Sequence, residues 1–377
     1  MIRRIGVLTG GGDCPGLNPA IKGLVLGAHY GSAHPIEVIG LRDGWRSLVT
    51  PDLPQHGPAL GTHFGKDEQW RVLTPADVDH WDAMGGTNLG SSRTNPYSSR
   101  NPQHQQVIKS IEEMKLDALV AIGGEDTLGV AAKLDAAGIP VVGIPKTIDK
   151  DLAGTDYTLG FETAVQIITE EVDRIRTTAG SHSRTFIVET MGRHAGHLAL
   201  QGGIASGAYV VLIPEHAYNL SRVVRLLVER RMKGIRYSIV LVSEGAFSEE
   251  MGKPFSSGAV RDTGFAHVAL GGIGDQLRQE IEAATDWDMR CVSLSHLQRG
   301  GAPVPYDRRI GRMFGHAAAD VLRRGDTGRM VSLRHGRITD VPVAVAGEPI
   351  RTVDLEREYD TRRYNARRDN VLRQGGV

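Results

Sequence analysis

The segment from residue 118 to residue 127 reads Ala118-Leu119-Val120-Ala121-Ile122-Gly123-Gly124-Glu125-Asp126-Thr127. Five consecutive apolar residues predict a buried strand, and the glycine pair that follows predicts a tight turn into a helix. Gly138 stands where that helix is expected to end, and residues 140–144 predict the next strand. A strand, a helix and a second strand at this spacing form a βαβ unit, in which the two strands are parallel.

The same order is found at the start of the chain. Residues 5–9 are apolar and are followed by the glycine-rich run Gly10-Gly11-Gly12-Asp13-Cys14-Pro15-Gly16. We interpret Asn18 and Pro19 as the N-cap and first-turn residues of a helix that runs towards Gly27.

A longer helix is predicted to begin at residue 161, because apolar residues recur there on one face. They are Phe161, Val165, Ile168, Val172 and Ile175. Further strands are predicted at residues 185–189, 208–213, 238–242 and 292–294. The segments 51–82 and 249–264 lack such periodicity, and we interpret them as insertions. We therefore expect an α/β protein whose parallel sheets are covered by helices on both faces.

Composition and charge exclude several classes of protein. Lys and Arg total 44 and Asp and Glu total 44, so the net charge is 0 and the chain lacks the positive field of a non-specific nucleic-acid binder. No apolar run approaches the roughly 20 residues of a membrane span. Cys14 and Cys291 cannot form a disulfide framework, and the apolar start is too short for a signal peptide, so we expect a cytoplasmic location. No Cys–His arrangement accompanies Cys14, which we interpret as a small buried residue.

Glycines and polar residues follow the predicted strands, at the edge where open α/β sheets bind ligands. The set comprises Gly10–Gly12, Gly123–Thr127, Pro145–Asp151, Met191–Arg193, Ser243–Gly245 and His296–Gly301. Glycines let backbone N–H groups approach a phosphate, and arginines offer a planar fork to its oxygens. Carboxylates can hold Mg²⁺ or accept a hydroxyl proton. Together the set predicts phosphoryl transfer to a phosphorylated substrate.

Each member of the set has an ordinary structural alternative. Asp149 and Asp151 could be turn and cap residues. Arg193 could pair with a carboxylate, and His296 could be a core histidine. The glycine turns match neither the dinucleotide-binding fingerprint nor the G-x-x-x-x-G-K-[ST] phosphate loop, which disfavours the alternative of a dinucleotide-dependent oxidoreductase.

The ordered motifs make the chain resemble the bacterial-type 6-phosphofructokinase family from Ile5 to about Asp320. They are Leu8–Asp13, Gly90–Arg93, Gly123–Thr127, Thr147–Asp149, Gly154–Tyr157, Ser181–Arg184, Met191–Arg193 and Gly300–Asp307. The resemblance implies two similar Rossmann-like parallel-sheet domains with the active site in the cleft between them. It assigns residues 1–160 and about 303–351 to a donor-binding domain, and residues 161–302 and about 352–377 to a sugar-phosphate-binding domain.

The resemblance also implies roles for single residues. Asp149 matches the base that accepts the proton of the sugar 1-hydroxyl, and Thr147 and Ile148 belong to the same loop. The positions that contact the transferring phosphoryl group and the sugar phosphate match Met191, Gly192, Arg193, Glu244, Arg290, His296 and Arg299.

Donor, metal and subunit contacts follow from the same resemblance. Donor-phosphate positions match Gly12, Arg93 and Gly124, and metal positions match Glu125 and Asp151, which implies Mg²⁺. Arg184 and Arg290 match arginines that reach the site from a neighbouring subunit. A homo-oligomer, either a dimer or a tetramer, is therefore implied.

Two charged residues bear on the phosphoryl donor. Family members that use ATP have glycine at the positions of Asp126 and Lys146, so the charged pair resembles the pyrophosphate-dependent branch. A carboxylate at Asp126 would occupy space that the α-phosphate of ATP needs, and two like charges ~4 Å apart repel by about 4 kcal/mol at an effective dielectric of 20. Lys146 would offer its ammonium to the charge that develops on pyrophosphate. Alternatively, Asp126 is a helix-start acid and Lys146 a solvated loop lysine.

Lys150 departs from the family pattern, in which asparagine generally separates the two aspartates. A cation beside Asp149 would lower its pKa and weaken it as a base, unless Lys150 points away. We expect pyrophosphate and fructose 6-phosphate as substrates, with neither nucleic acid nor membrane as a partner. The open alternatives are an ATP-dependent enzyme, another acceptor such as sedoheptulose 7-phosphate, and a relative without turnover.

Overall fold

The structure is a computed structural model that describes residues 2–31, 33–50, 69–260 and 268–367. Its strands are β1 (Arg4–Thr9), β2 (Glu37–Leu41), β3 (Trp70–Leu73), β4 (Ala118–Gly123), β5 (Val141–Pro145), β6 (Thr185–Thr190), β7 (Val210–Leu212), β8 (Ser238–Ser243), β9 (Ser256–Val260), β10 (Val268–Leu270), β11 (Met289–Ser293), β12 (Arg329–Arg334), β13 (Arg337–Pro342), β14 (Tyr359–Asp360) and β15 (Asn365–Ala366). Its helices are α1 (Leu17–Tyr30), α2 (Arg46–Val49), α3 (His104–Glu113), α4 (Glu125–Ala136), α5 (Phe161–His182), α6 (His197–Ser206), α7 (Leu220–Met232), α8 (Ile273–Thr285) and α9 (Pro305–Arg324).

Two sheets organise the described part of the chain. The first has seven strands in the order β13-β12-β5-β4-β1-β2-β3. Its five inner strands are parallel, and the edge strands β3 and β13 are antiparallel to their neighbours. The second sheet has four parallel strands in the order β11-β6-β8-β7. The expected α/β class with parallel sheets is confirmed.

The βαβ unit predicted at residues 118–144 is present. All six residues of β4 are buried, and β4 and β5 pair in parallel with Ala121 opposite Gly143. The helix between them, α4, packs against both strands. An uninterrupted apolar run is therefore the pattern of a central strand that helices cover on both faces.

The first helix begins differently from the prediction. Its N-cap residue is Gly16, whose φ of 119° is readily adopted only by glycine, and Asn18 lies inside the first turn. The buried amide of Asn18 donates to the carbonyl oxygens of Met84 (3.2 Å) and Gly85 (3.1 Å), and its oxygen accepts from the N–H of Asn88 (2.8 Å). The prediction of Asn18 as N-cap was wrong because partners some 70 residues away in sequence occupy its side chain.

Two further boundaries differ from the prediction. The strand predicted at residues 292–294 is β11, Met289–Ser293, and its start was missed because this edge strand has only one buried residue and so lacks an apolar run. Of the two predicted insertions, residues 51–68 and 261–264 lie outside the described residues. The remainder includes edge strand β3 and β9, which pairs antiparallel with β10.

The apolar stripe of α5 is confirmed as a buried face. Phe161, Val165, Ile168 and Val172 are all buried, and the helix packs against α6. The N-cap residue of α5, Gly160, has no side chain that could accept hydrogen bonds from the first N–H groups of the helix. Another residue therefore has to accept them.

That residue is Asp307, from the first turn of α9, which is fully buried. Its carboxylate accepts hydrogen bonds from Gly160 N (2.7 Å), Thr163 N (2.9 Å), Thr163 Oγ1 (2.6 Å) and Tyr157 Oη (2.7 Å). The negative charge also lies at the positive end of the α5 dipole. Asp307 thus joins α9, α5 and the loop that precedes α5.

The end of the chain returns from the first sheet to the second. After β13, the 3₁₀ turn Val343–Gly347 packs on α4. The β14–β15 pair then contacts β7, where Val211 N donates to Tyr364 O (2.7 Å) and Tyr359 Oη donates to Val211 O (2.6 Å). Over the residues that are described, no helix has both the length and the apolarity to cross a membrane.

Candidate active site

Loops from both sheets meet around Asp149. Asp149 follows β5 of the first sheet, whereas Arg193 and Glu244 follow β6 and β8 of the second. The charges of Arg299 and Arg193 act on the Asp149 carboxyl, and the charge of Asp149 in turn acts on Glu244. Residues predicted from separate strand ends therefore come together in one place.

The triple-glycine turn lies beside this cluster and allows no side chains. Gly11 has a φ of 77°, and a Cβ on Gly10 would lie 2.5 Å from Thr127 Oγ1. A Cβ on Gly12 would lie 2.6 Å from Arg299 Nη1. Gly10 N donates to Ile122 O (3.0 Å) and Gly11 N donates to Ser92 O (3.0 Å), so the described turn offers a phosphate chiefly the backbone N–H of Gly12.

An open cleft of about 610 Å³ borders the turn. It is lined by Gly11, Gly12, Asp13, Gly85, Gly86, Thr87, Asn88, Gly90, Ser91, Ser92, Arg93, His296 and Arg299. The structure thus gathers Gly12 and Arg93 with His296 and Arg299. His296 is exposed, with Nδ1 3.0 Å from Ser295 Oγ, so the alternative of a core histidine is wrong.

Lys146 is buried beneath the glycine turn. Its ammonium donates to the carbonyl oxygens of Gly10 (2.9 Å) and Gly12, and only 3% of the residue is exposed. Burial lowers the pKa of Lys146 to about 8. The alternative of a solvated loop lysine is therefore wrong, and the side chain has a contact that the sequence did not predict, namely with the turn itself.

The Asp149 carboxyl is in an unusual environment. Its Oδ1 atom is buried and has no hydrogen-bond partner among the described residues. Burial raises the pKa of Asp149, while Arg299, Arg193, His194 and Lys146 oppose that rise. A partly desolvated carboxylate with a free oxygen is suited to accept a proton.

The loop around Asp149 is ordered by its neighbours. Thr147 Oγ1 accepts from Asp149 N (3.2 Å), and the side chain of Ile148 is fully buried, so a ligand would meet Ile148 through its backbone. Lys150 has a φ of 57° and places its ammonium 4.7 Å from the ring centroid of Phe161. Burial lowers the pKa of Lys150, and the charge of Glu162, in the first turn of α5, opposes that shift. With its ammonium near Phe161 and Glu162, the Lys150 side chain is directed towards the start of α5.

Other carboxyls adjoin Asp149. Burial, with the charges of Asp149 and Glu125, raises the pKa of Asp151 to about 7. Burial, with the charge of Asp149, raises the pKa of Glu244 to about 7. Like charges at such short range make a site where a cation is favourable.

The residues present fit Mg²⁺ as a shared ion. Within residues 2–31, 33–50, 69–260 and 268–367, no group of three or more His, Cys, Asp or Glu side chains forms a metal cage. Mg²⁺ is commonly bound by one or two carboxylates together with water and substrate phosphates, and the buried, unpartnered Asp149 oxygen and the mutually repelling Asp151 and Glu125 suit that mode.

The start of α4 carries the predicted donor residues. Gly124 is the N-cap residue, and Glu125 and Asp126 lie in the first turn, where acids interact favourably with the helix dipole. Asp126 is therefore a helix-start acid, as the alternative interpretation held. The effect of Asp126 on the choice of phosphoryl donor stays a prediction.

The Met191–Arg193 turn is held by contacts that the sequence did not reveal. Gly192 has a φ of 125°, and Ser243 Oγ donates to Gly192 O (2.6 Å). The fully buried Gln298 accepts from Met191 N (3.3 Å) and donates to Ser295 O (3.1 Å). Gln298 therefore links this turn to the segment of His296 and Arg299. In the sequence, the position of Gln298 between those two residues was the only indication that it belongs to the site.

Arg184 and Arg290 are not brought to this site within one chain. Arg184 precedes β6 and Arg290 is the second residue of β11, so both lie at the amino ends of their strands, whereas Met191 follows the carboxyl end of β6. The six residues of β6 separate Arg184 from that end by about 20 Å, and Arg290 lies three residues, about 10 Å, before the end of β11. Both arginines form ion pairs with the partly exposed Asp288, and Arg184 Nε lies 2.7 Å from Asp288 Oδ2.

Cys14 is a buried residue, as predicted. Its Sγ donates to Leu159 O (3.2 Å), and burial raises the pKa of the thiol to about 12. A thiol that stays protonated is not a nucleophile.

Comparison with known proteins supplies a family. The family model "Phosphofructokinase" matches residues 4–322 of the chain. The chain is 47% identical over 354 residues to a protein of Amycolatopsis methanolica named pyrophosphate--fructose 6-phosphate 1-phosphotransferase, covering 94% of this chain and 97% of that one. It is 43% identical over 352 residues to an ATP-dependent 6-phosphofructokinase of Chloroflexus aurantiacus, covering 91% of each.

Solved structures share the fold. A pyrophosphate-dependent phosphofructokinase of Nitrosospira multiformis superposes with a TM-score of 0.80 at 19% identity over 99% of this chain and 90% of that one. A phosphofructokinase of Saccharomyces cerevisiae gives a TM-score of 0.74 at 27% identity over 92% of this chain. The chain spans 45% of the length of that yeast protein.

Proposed function

Since the chain belongs to the phosphofructokinase family, we propose that it transfers a phosphoryl group from pyrophosphate to the 1-hydroxyl of fructose 6-phosphate. The products are fructose 1,6-bisphosphate and phosphate, and the reaction is reversible. The observation that carries the proposal is the buried Asp149 carboxyl, with a free oxygen, between cationic side chains and the glycine turn.

Asp149 is the base in this proposal. The sugar 1-hydroxyl gives its proton to Oδ1 as the hydroxyl oxygen attacks the donor phosphorus. Burial raises the pKa of the Asp149 carboxyl and makes it a better proton acceptor, and the charges of Arg299 and Arg193 oppose that rise, which favours the ionised form.

The remaining residues bind and orient the two substrates. The backbone of Gly12, the N-cap residue Gly124 and the side chain of Arg93 hold the donor phosphates, while Arg193 neutralises charge on the transferring group. Met191, Gly192, Glu244, His296 and Arg299 surround the sugar phosphate. Lys146 keeps the turn in place and adds positive charge beneath it.

Mg²⁺ would be held by Asp151 and Glu125 together with donor oxygens. When bound, it neutralises charge on the phosphates. Asp151 and Asp149 repel each other, so the ion would also keep both carboxyls ionised at neutral pH.

Pyrophosphate is the proposed donor because both charged residues, Asp126 and Lys146, are present and because Lys146 is buried. The carboxylate of Asp126 would repel the α-phosphate of ATP, and pyrophosphate has no third phosphate to repel. Relatives with either donor are similar to this chain, so the donor has to be measured.

A donor screen with fructose 6-phosphate and Mg²⁺ tests the proposal. We expect kcat/KM for pyrophosphate to exceed that for ATP by about a thousandfold, which corresponds to about 4 kcal/mol of repulsion. Comparable values for the two donors would contradict it. Turnover with sedoheptulose 7-phosphate but not fructose 6-phosphate would reassign the acceptor, and no turnover with any donor would indicate a binding protein.

Variants of the charged pair sharpen this test. Asp126→Gly alone should not give a good ATP enzyme, because Lys146 still fills the space under the turn. Asp126→Gly with Lys146→Gly should recover some ATP use, although loss of the Lys146 contacts will also loosen the turn. Asp126→Asn, which keeps the shape and removes the charge, is the matched control; strong ATP turnover by the single Asp126→Gly variant would show that Lys146 has no part in the choice.

We further propose a homo-oligomer in which Arg184 and Arg290 serve the site of a neighbouring subunit. Their position at the amino ends of their strands supports this, as does the exposure of Arg290 on the edge strand β11; Arg184 is half-buried beside it. The two proposed domains remain residues 1–160 with about 303–351, and residues 161–302 with about 352–377.

A cytoplasmic location is supported by two free cysteines, Cys14 and Cys291.

A further inference from the structure

The segment that returns the chain from the first sheet to the second lies directly on the loop of Asp149 and Asp151. Its central residue, Arg351, donates from its backbone N–H to Asp151 O (2.7 Å). The guanidinium of Arg351 donates to Thr155 O and lies 3.7 Å from Asp156 Oδ1. Arg351 thus contacts this loop at three points between residues 151 and 156.

The other side of the same segment is held by α6 and by the turn that follows β7. His197 Nε2, on α6, lies 3.3 Å from Arg351 O, and Val353 N donates to Glu215 Oε1 (2.7 Å). Burial lowers the pKa of His197 to about 4, so its ring is neutral at pH 7 and can donate through Nε2. Glu215 also accepts from Gly196 N (2.9 Å), at the start of α6.

Other contacts hold the loop after Asp151: Leu152 is buried, and Ser332 Oγ donates to Gly154 O (2.6 Å). Thr155 and Tyr157 are anchored to Leu333 and Asp307, but these lie beyond the two aspartates. Between Asp149 and Asp151, Lys150 adopts a φ of 57°, which costs conformational energy for a residue other than glycine. A strained loop keeps one position only where neighbouring groups hold it.

We propose that Arg351 is a positioning residue that fixes the Asp149–Asp151 loop relative to α6 and the turn of Arg193. It touches no reacting atom; it acts through the carbonyl groups of Asp151 and Thr155. This inference rests on the proposed function, since it assumes that Asp149 is the base. Misplacement of a catalytic group by about 1 Å can cost 10²-fold in rate, so a remote arginine can govern turnover.

The test compares Arg351→Ala with Arg357→Ala. Arg357 is in the same C-terminal segment, but its side chain is 84% exposed and pairs only with Asp354 among the described residues. Arg351→Ala keeps the backbone bond to Asp151 O and removes the guanidinium contacts with Thr155 and Asp156. We expect kcat to fall by about tenfold with the KM for fructose 6-phosphate changed by less than about threefold, since the sugar-phosphate contacts lie elsewhere. Arg357→Ala should match the unmodified protein.

Amide hydrogen exchange supplies a readout that does not need turnover. We expect faster exchange in Arg351→Ala confined to peptides that cover residues 147–157, and no change elsewhere. Unchanged kcat and unchanged exchange in this loop would overturn the inference, as would faster exchange throughout the chain with kcat and KM altered together.

Arg351→Lys keeps the charge and the stem but not the planar fork, and we expect an intermediate loss of kcat. It also serves if Arg351→Ala fails to fold; a Lys variant with full kcat and unchanged loop exchange would then refute the positioning role. If the unmodified protein does not turn over, the proposed function has failed, and the exchange experiment still decides whether Arg351 holds the loop.

Discussion

At the scale of single residues, environment rather than residue type distinguishes the aspartates of this site. Asp149 and Asp151 are two positions apart, yet Asp149 has a buried oxygen without a partner, and Asp151 has its pKa raised to about 7 by burial and by Asp149. Asp307, which is fully buried, has four hydrogen-bond donors and is structural. The Oδ1 atom without a partner among the described residues supports the proposal that Asp149 is the base.

Replacing Asp149 by asparagine should therefore abolish most of the activity. Asp149→Asn keeps the shape and removes the proton acceptor, so we expect kcat to fall by about 10² to 10⁴ while the KM for fructose 6-phosphate changes little. Steady-state kinetics at saturating pyrophosphate would measure this. A loss of tenfold or less would mean that another group takes the proton.

The same base predicts the sign of the pH dependence. Asp149 must be ionised to act, and burial raises its pKa from the ordinary 3.8, so activity should be lost as the pH falls through that raised value. The acidic limb of kcat/KM should thus lie above pH 3.8 and be absent from the residual activity of Asp149→Asn. An acidic limb near that ordinary value would contradict a desolvated base.

At the scale of the elements, the start of α5 depends on a carboxylate from α9. The helix has glycine at its N-cap position, and Asp307 replaces the missing cap from 144 residues away. The same carboxylate binds Tyr157, in the loop that leads from the Asp149 segment into α5. A single buried charge therefore couples two helices to the site.

Asp307→Asn should lower the free energy of unfolding by about 2–4 kcal/mol, because an amide nitrogen would face buried donors. Asp320→Asn is the matched control, since Asp320 is on the same helix with a side chain 66% exposed, and we expect a change within about 0.5 kcal/mol. Chemical denaturation of both variants measures this; equal stabilities would show that the Asp307 bonds contribute little.

At the scale of the whole molecule, the described chain leaves two predicted phosphate-binding arginines far from Asp149. Arg184 and Arg290 both pair with Asp288 at the amino ends of their strands. In a closed site an arginine that binds phosphate is costly to lose. A second copy of the chain would bring such arginines to a site that otherwise lacks them.

Mixing two inactive variants tests a shared site. If Arg184→Ala and Asp149→Asn are each nearly inactive, subunit exchange between them should restore part of the activity, because some hybrid sites contain only intact residues. Subunit exchange has to be measured in the same samples, for example by the mass of mixed oligomers. No recovery despite verified exchange, or an active monomer, would refute the shared site.

Much of the fold could be predicted from the sequence alone. Apolar runs that end in glycine turns are local patterns, and they indicated the four strands of the second sheet, the βαβ unit and the buried face of α5. Of the first sheet they indicated β1, β4 and β5 but not β2, β3, β12 and β13. The ordered motifs indicated the family. Such patterns suffice because strand and helix periodicity depends on near neighbours in the chain.

The tertiary structure alone decided which polar groups are satisfied. The partners of Asn18, Gln298 and Arg351 are distant in sequence, and Asp307 and Tyr157 are 150 residues apart. Burial of Lys146 beneath the glycine turn and the unpartnered oxygen of Asp149 likewise depend on segments that only folding brings together. Because desolvation and long-range hydrogen bonds set the chemistry of a carboxylate or an ammonium, the sequence indicated which residues belong to the site, and the packing of both sheets determined what each can do.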